Sequence, residues 1–169
     1  MEIIQAIHTR RSIRKYTDDP VEDQVVDEVL RAGMMAPSAG NEQPWHFVIL
    51  RNPATLQAIA RAHPYASMAE HAPVAILVCG DISLDKYDGF WAQDCAAAMQ
   101  NMLLAIHAFG LGGVWVGIHP RPQRLADIRR AIALPDHIIP FALLPFGYPD
   151  EEKPRENRFQ AARVHRERW

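Results

Sequence analysis

Only two cysteines, Cys79 and Cys95, occur among the 169 residues, too few for a disulfide framework. Cys79 falls in the apolar run Val74–Cys79 and Cys95 in an alanine-rich helical pattern, so both are expected as buried thiols. Lysine is scarce as well: three of the 18 basic residues are Lys and fifteen are Arg. That bias suits fork-like recognition of oxyanions, although composition alone also explains it. Excess charge is missing too. A formal net charge of −2 speaks against general binding to nucleic acid or to an acidic membrane. Positive charge here is local, and an anionic partner is expected to be small.

No long apolar run of the kind that spans a bilayer stands out. The uncharged stretch Cys95–Ile118 contains Gln100, Asn101 and His107 and then breaks at Gly110, Gly112 and Gly113. A buried helix, a turn and a strand account for it better than a membrane span. Met1-Glu2 begins acidic and nothing after it resembles a secretory signal, so a cytoplasmic protein is expected. The eight histidines show no metal-ligand spacing, and no metal site is expected. Asp81, Ser83 and Asp85 resemble the start of a calcium loop, but Lys86 stands where that loop needs Gly. Gly110-Leu111-Gly112 follows a helix instead of a strand, which removes it as a dinucleotide fingerprint.

What remains organises the chain as one domain over residues 1–169, with 147–169 as a C-terminal tail. Helices are expected over 2–8, over 22–34, from an Asn52 cap with Pro53 at the first position to about Ala62, over 85–109 and over 121–134. Strands are expected at 45–50, 74–79, 114–118 and 138–146. The long pattern 85–109 is apolar on nearly all faces, which places it at the centre of a fold or at an oligomer interface. Helices and strands are mixed without a regular βαβ rhythm, so the expected class is α+β, a small mixed sheet flanked by helices.

Four segments look able to hold a ligand. Arg10-Arg11-Ser12-Ile13-Arg14-Lys15 places four cations and a hydroxyl within six residues, a good match to phosphate or another oxyanion. Pro37–Trp45 gathers amide and hydroxyl donors in one tight turn. Gly110–Gly117 is a glycine-rich turn into a strand, where backbone N–H groups can meet a ligand closely. Gly147-Tyr148-Pro149 leads to Lys153-Pro154-Arg155, a second cationic site. Each alone is equally well read as a solvated turn, a polar connector, tight helix–strand packing or a solvated tail.

Their order is more telling. The chain resembles the FMN-dependent nitroreductase family from Ile3 to Trp169. The basic turn resembles that family's Arg-x-Ser-x-(Arg/Lys) signature, and Pro37–Trp45 its Pro-Ser-x-x-Asn-x-Gln-Pro-Trp segment. Trp91-x-x-Asp94, Gly110-Leu111-Gly112, Trp115-x-Gly117, Gly147-Tyr148-Pro149 and Lys153-x-Arg155 complete the likeness to the short members. The resemblance implies that Arg10, Ser12, Lys153 and Arg155 hold the FMN phosphate, with Arg11 beside them. Arg14 would approach the pyrimidine edge of the flavin, where reduction leaves negative charge that a fixed cation stabilises. Val116 and Gly117 would offer backbone groups by N5 and O4, with Trp115 close to the ring. Pro37, Ser38, Ala39, Asn41 and Gln43 would come from the partner subunit. Ala39 stands where many members have a second Ser. Members of greater length carry a helical excursion over the flavin for which this chain has no room.

The same resemblance implies a tail-exchanged homodimer with two FMN sites at the interface. It also implies a NAD(P)H oxidoreductase that reduces nitroaromatics, quinones or similar acceptors by a ping-pong route. No side chain is named as catalytic. Two other classes share the FMN residues. One is another reductase on this scaffold, acting on free flavin, an enone or a halogenated phenol. The other is a non-catalytic flavin sensor. A nucleic-acid module fits poorly, since the aromatics are not interleaved with the basic residues.

Overall fold

Val74, Ile76 and Val78 pack into one apolar cluster while Ala75, Leu77 and Cys79 pack into another. That period-two division is what a strand with a cover on both faces requires. The structure, a computed structural model, describes residues 1–169. Its elements are α1 (Ile3–Thr9), α2 (Asp23–Met34), β1 (Trp45–Leu50), α3 (Pro53–Ala62), β2 (Val74–Asp81), α4 (Trp91–Ala108), β3 (Gly112–Gly113), β4 (Val116–Gly117), α5 (Pro122–Ile132) and β5 (Ile138–Gly147).

The sheet runs β1-β2-β5-β3, with β4 also on β5, and every strand pair is antiparallel. Its parallel component is a single bridge between Ser12 and Gly113. Ala142, Leu144 and Phe146 join the cluster with Val26 and Val29 of α2 and Met99 and Met102 of α4. Leu143 joins the opposite cluster with Leu56 and Ile59 of α3 and Ile128 of α5. The result is three layers with a helix pair on each face of the sheet, the α+β class expected. Each of these fully buried aliphatic side chains contributes on the order of 1.5–3 kcal/mol of burial free energy.

Local signals explain most of the boundaries. Asn52 Oδ1 accepts the N–H groups of Ala54 at 2.9 Å and Thr55 at 3.3 Å, and Pro53 opens α3. Pro122 opens α5, which ends at Ala133 in the left-handed conformation. Both cysteines are buried and free, as expected.

Three expectations need correction. The long helix begins at Trp91 instead of Asp85. Asp85 turns its carboxylate back to accept the Gly89 N–H at 2.7 Å, and Asp88 and Gly89 have φ of 50° and 97°. Nor is α4 apolar all round in its setting. It buries the stripe Trp91, Asp94/Cys95, Ala98/Met99, Met102/Leu103 and Ile106, and leaves Gln93, Gln100 and Ala108 exposed. Alanines on the outer side had hidden that stripe. The strand expected at 114–118 is instead the pair β3 and β4, interrupted at Val114 and Trp115 while both segments lie on β5. No helix is long and apolar enough to cross a membrane.

Candidate functional site

The basic turn is extended and threads between the end of the sheet and the tail. Ile13 N–H donates to Gly113 O at 3.1 Å, Thr17 N–H to Tyr148 O at 2.9 Å and Asp150 N–H to Lys15 O at 2.9 Å. These bonds bring the two cationic segments side by side. A cavity of about 630 Å³ is walled by residues from Ile7 to Arg11 on one side and from Arg155 to Phe159 on the other. Arg11 donates to Pro154 O and pairs with Glu156, which Arg158 also holds at 2.7 Å. Lys153 sits 3.5 Å from Glu151, whose carboxylate accepts the Arg14 N–H at 2.5 Å. Arg10, Arg11 and Lys153 share a smaller cavity of about 310 Å³ next door.

Arg10 has no hydrogen-bond or carboxylate partner for its half-buried guanidinium. Burial first, and then the charges of Arg158 and Arg11, press its pKa below the usual arginine value. Crowded like charges with free donors are what a phosphate group relieves. The residues therefore fit the phosphate end of FMN. Ser12 lines none of the four main cavities; it is held by its backbone bridge to Gly113, next to Arg11.

A second cavity, of about 470 Å³, is where Arg14, Trp115, Val116 and Gly117 meet. A Cβ built on Gly117 would touch nothing within 4 Å, so the backbone there presents a bare surface to a flat ligand. Gly117 O is itself held by two side chains. His63 Nε2 lies 2.9 Å from it and Arg124 Nη1 donates to it at 3.0 Å. Because the Tyr65 N–H donates to His63 Nδ1 at 3.1 Å, the ring proton belongs on Nε2. Burial lowers the His63 pKa, with the Arg124 charge adding to the effect and the Gly117 bond opposing it. His63, Tyr65 and Arg124 were missed from the sequence. They come from a connector and from α5, and no spacing ties either to the glycine turn.

The Pro37–Gln43 loop lies elsewhere. Pro37, Ser38, Ala39, Asn41 and Gln43 line neither of these cavities, and a single chain does not bring them to Arg14 or Gly117. The loop has its own internal order. Gln43 N–H donates to Ser38 Oγ at 3.1 Å, Gln43 Nε2 donates to Asn41 Oδ1 at 3.2 Å, and Asn41 and Gln43 have φ of 56° and 48°. Beneath it, Asp94 Oδ1 accepts the Ala39 N–H at 3.1 Å and Glu42 Oε2 accepts the Lys86 N–H at 2.9 Å. Glu42 and Asp94 are only 7% and 5% exposed, and Glu42 Oε1, Asp94 Oδ2 and Asp85 Oδ1 have no partner. Burial raises the Asp94 pKa; the Ala39 N–H opposes this, while Glu42 and Asp85 add to it.

Comparison with known proteins agrees with the geometry. Residues 7–63 and 59–148 match the model of the nitroreductase family, and the chain belongs to that family. It is 49% identical over 169 residues to a provisionally named NADH dehydrogenase/NAD(P)H nitroreductase of Methanothermobacter thermautotrophicus, covering 100% of this chain and 88% of that one. A crystal structure from Parabacteroides distasonis, provisionally named in the same way, superposes with a TM-score of 0.95 at 39% identity, covering 99% of this chain and 98% of that one. A provisionally named nitroreductase from Desulfovibrio desulfuricans, in complex with FMN, gives a TM-score of 0.88 at 34% identity, covering 100% and 98%.

Proposed function

We propose that this chain is an FMN-dependent NAD(P)H oxidoreductase that reduces nitroaromatics, quinones or similar electron-poor acceptors. The observation that carries the reading is the meeting of Arg10 and Arg11 with Arg155 and Arg158 around one cavity, and of Arg14 with the bare face of Gly117 in a second. Bound FMN supplies a two-electron carrier that accepts hydride from the nicotinamide and delivers it to the acceptor.

The protein's part is to bind and to orient. Arg10, Arg11, Lys153 and Arg155 hold the phosphate with Ser12 alongside, and Arg14 faces the pyrimidine edge as a permanent cation. Val116 and Gly117 present backbone to the ring beside Trp115. His63 and Arg124 keep Gly117 from shifting. No side chain is required as nucleophile. Donor and acceptor use the same face in turn, so ping-pong kinetics are expected. A reaction fed by reduced nicotinamide suits a cytoplasmic location.

The working unit in this reading is a homodimer with exchanged tails. Ile3 and Ile4 of α1 are 68% and 61% exposed, and Phe159, Val164 and Trp169 of the tail are exposed as well. These apolar groups on a short helix and an uncovered tail suit a partner surface. The partner's Pro37–Gln43 loop would then supply Pro37, Ser38, Ala39, Asn41 and Gln43 to the site.

Purified protein tests this directly. A yellow dimer with flavin absorption that oxidises NADH or NADPH in the presence of a nitroaromatic or quinone is expected. A colourless monomer that cannot be loaded with FMN would sink the proposal, and a yellow protein inert toward every donor would favour a flavin sensor.

A further inference from the structure

The cavities of this protein differ in one respect that bears on what they accept. Cations line each of the four main ones. In the largest they are accompanied by Glu156, in the 310 Å³ cavity by Glu151 and Glu152, and in a cavity of about 400 Å³ by Glu70 and Glu151. The cavity over Gly117 contains Arg14 and Arg124 and no carboxylate at all.

Arg14 is already occupied in the reading above, as the cation at the flavin's edge. Arg124 comes from a different element and has no such task. Its only hydrogen bond runs from Nη1 to Gly117 O, and no carboxylate lies within 4.0 Å of it. A guanidinium has five N–H donors, so most of its recognition capacity is unspent. Nor is the group adrift. It lies over the Tyr65 ring at 5.2 Å from the centroid, and the Gly117 bond fixes it at a second point. Tyr65 is 67% exposed and Trp115 36% exposed in the same cavity, which gives a flat ligand aromatic walls. Burial lowers the His63 pKa and so disfavours a further positive charge there.

We propose that Arg124 recognises an anionic substituent on the planar substrate that uses this cavity. The group would be a carboxylate on an aromatic acceptor or a phosphate on the nicotinamide donor. The proposal rests on the FMN oxidoreductase reading, since it takes the cavity over Gly117 as the place where substrate meets cofactor. It predicts a specificity that the reading alone does not: acidic aromatic acceptors, or phosphate-rich donors, are favoured over neutral ones of the same shape.

The test compares the FMN-loaded wild type with Arg124→Met and Arg124→Lys. One arm uses nitrobenzene and 4-nitrobenzoate at fixed donor; the other uses NADH and NADPH at fixed neutral acceptor. Loss of one charge-assisted bond corresponds to about tenfold or more in affinity. If the acceptor carries the anion, Arg124→Met should raise the ratio of KM for 4-nitrobenzoate to KM for nitrobenzene by that factor, because the loss of the Gly117 bond falls on both acceptors alike and cancels in the ratio. If the donor carries it, the shift appears in KM for NADH and NADPH instead. Arg124→Lys should recover part of the loss and also serves if the Met variant does not fold.

Equal effects on nitrobenzene and 4-nitrobenzoate with the donor unaffected, or no effect on any arm, would overturn the proposal. So would a change in flavin potential large enough to account for the kinetics. If the wild type turns over no acceptor, the functional reading fails separately. Titration of 4-nitrobenzoate, followed by the flavin absorption bands, still decides on Arg124. Tighter binding to wild type than to Arg124→Met supports it, and equal or absent binding does not.

Discussion

Two charged regions of this molecule solve opposite problems. Around Arg10 and Arg11, cations from both ends of the chain crowd a cavity, and only part of their charge is met by Glu151 and Glu156. Beneath Pro37–Gln43, the buried carboxylates of Glu42 and Asp94 face each other with oxygens that have no partner, and backbone N–H groups from Ala39 and Lys86 supply what compensation there is. The first region has open donors and is suited to an anion from outside. The second is closed, and burial together with its neighbouring carboxylates pushes the Asp94 pKa up. Accessible charge serves binding here, and buried charge serves the shape of a loop.

The sharpest way to break the comparison is to remove the open cations. Arg10→Ala should weaken FMN retention by about 10- to 100-fold, the value of one charge-assisted bond, while the unfolding free energy stays nearly constant. Arg14→Ala should also loosen FMN and in addition slow hydride uptake, as judged by flavin content and stopped-flow reduction. Unchanged flavin content in both variants would remove the basic turn from the site.

In the closed region the expected effect falls on stability. Asp94→Ala takes away the acceptor for the Ala39 N–H and should cost about 1–3 kcal/mol in chemical denaturation. Asp94→Asn keeps an acceptor and adds an N–H donor in reach of a carboxylate, so it should cost far less. A loss as large for Asn as for Ala would show that the loop does not depend on that bond.

A smaller effect separates the regions by pH. Burial and the neighbouring Glu42 and Asp85 raise the Asp94 pKa in the fold above the ordinary aspartate value. Its contribution to stability is therefore greatest below that value, is lost as pH rises toward the raised pKa, and is constant above it. Asp81 and Glu151 are shifted down, the first by hydrogen bonds from Ser83 that outweigh burial, the second by the Arg14 N–H and Lys153 in the same way. They act in the opposite sense, losing stability as pH falls. Wild type minus Asp94→Asn isolates the first term. That difference should decline as pH rises above the ordinary aspartate value; a flat difference would mean that the fold does not raise the Asp94 pKa.

Much of this architecture was legible in the residues. The Asn52-Pro53 start, the continuous run Val74–Cys79 and the helical spacing of Val25, Val26 and Val29 all act locally, and each element formed within a residue or two of its expected bounds. The start of α4 was not legible, because the turn at Asp85–Gly89 depends on one side-chain bond and two left-handed residues inside a helix-like composition. The strand at 114–118 was read as continuous because its apolar pattern is. Both segments keep one register on β5, and the break falls where Val114 lies opposite Pro145, which has no N–H to give the ladder.

At the site, the basic turn and the tail declared themselves by composition. His63, Tyr65 and Arg124 did not, since their link is the carbonyl of Gly117, which carries no side chain for a sequence to display. Glu42 was passed over in the middle of a segment read for its amides and hydroxyls.

One wall of the 630 Å³ cavity proposed for the phosphate belongs to residues 155–159, none of which buries a side chain. A dianion spanning that wall and Arg10 would therefore act as a clasp between the start of the polypeptide and its end. Occupancy and tail order become one equilibrium read at two places. Stripping the flavin should make the bonds after Arg155, Arg158 and Arg163 trypsin-sensitive, and restoring it should shield them again.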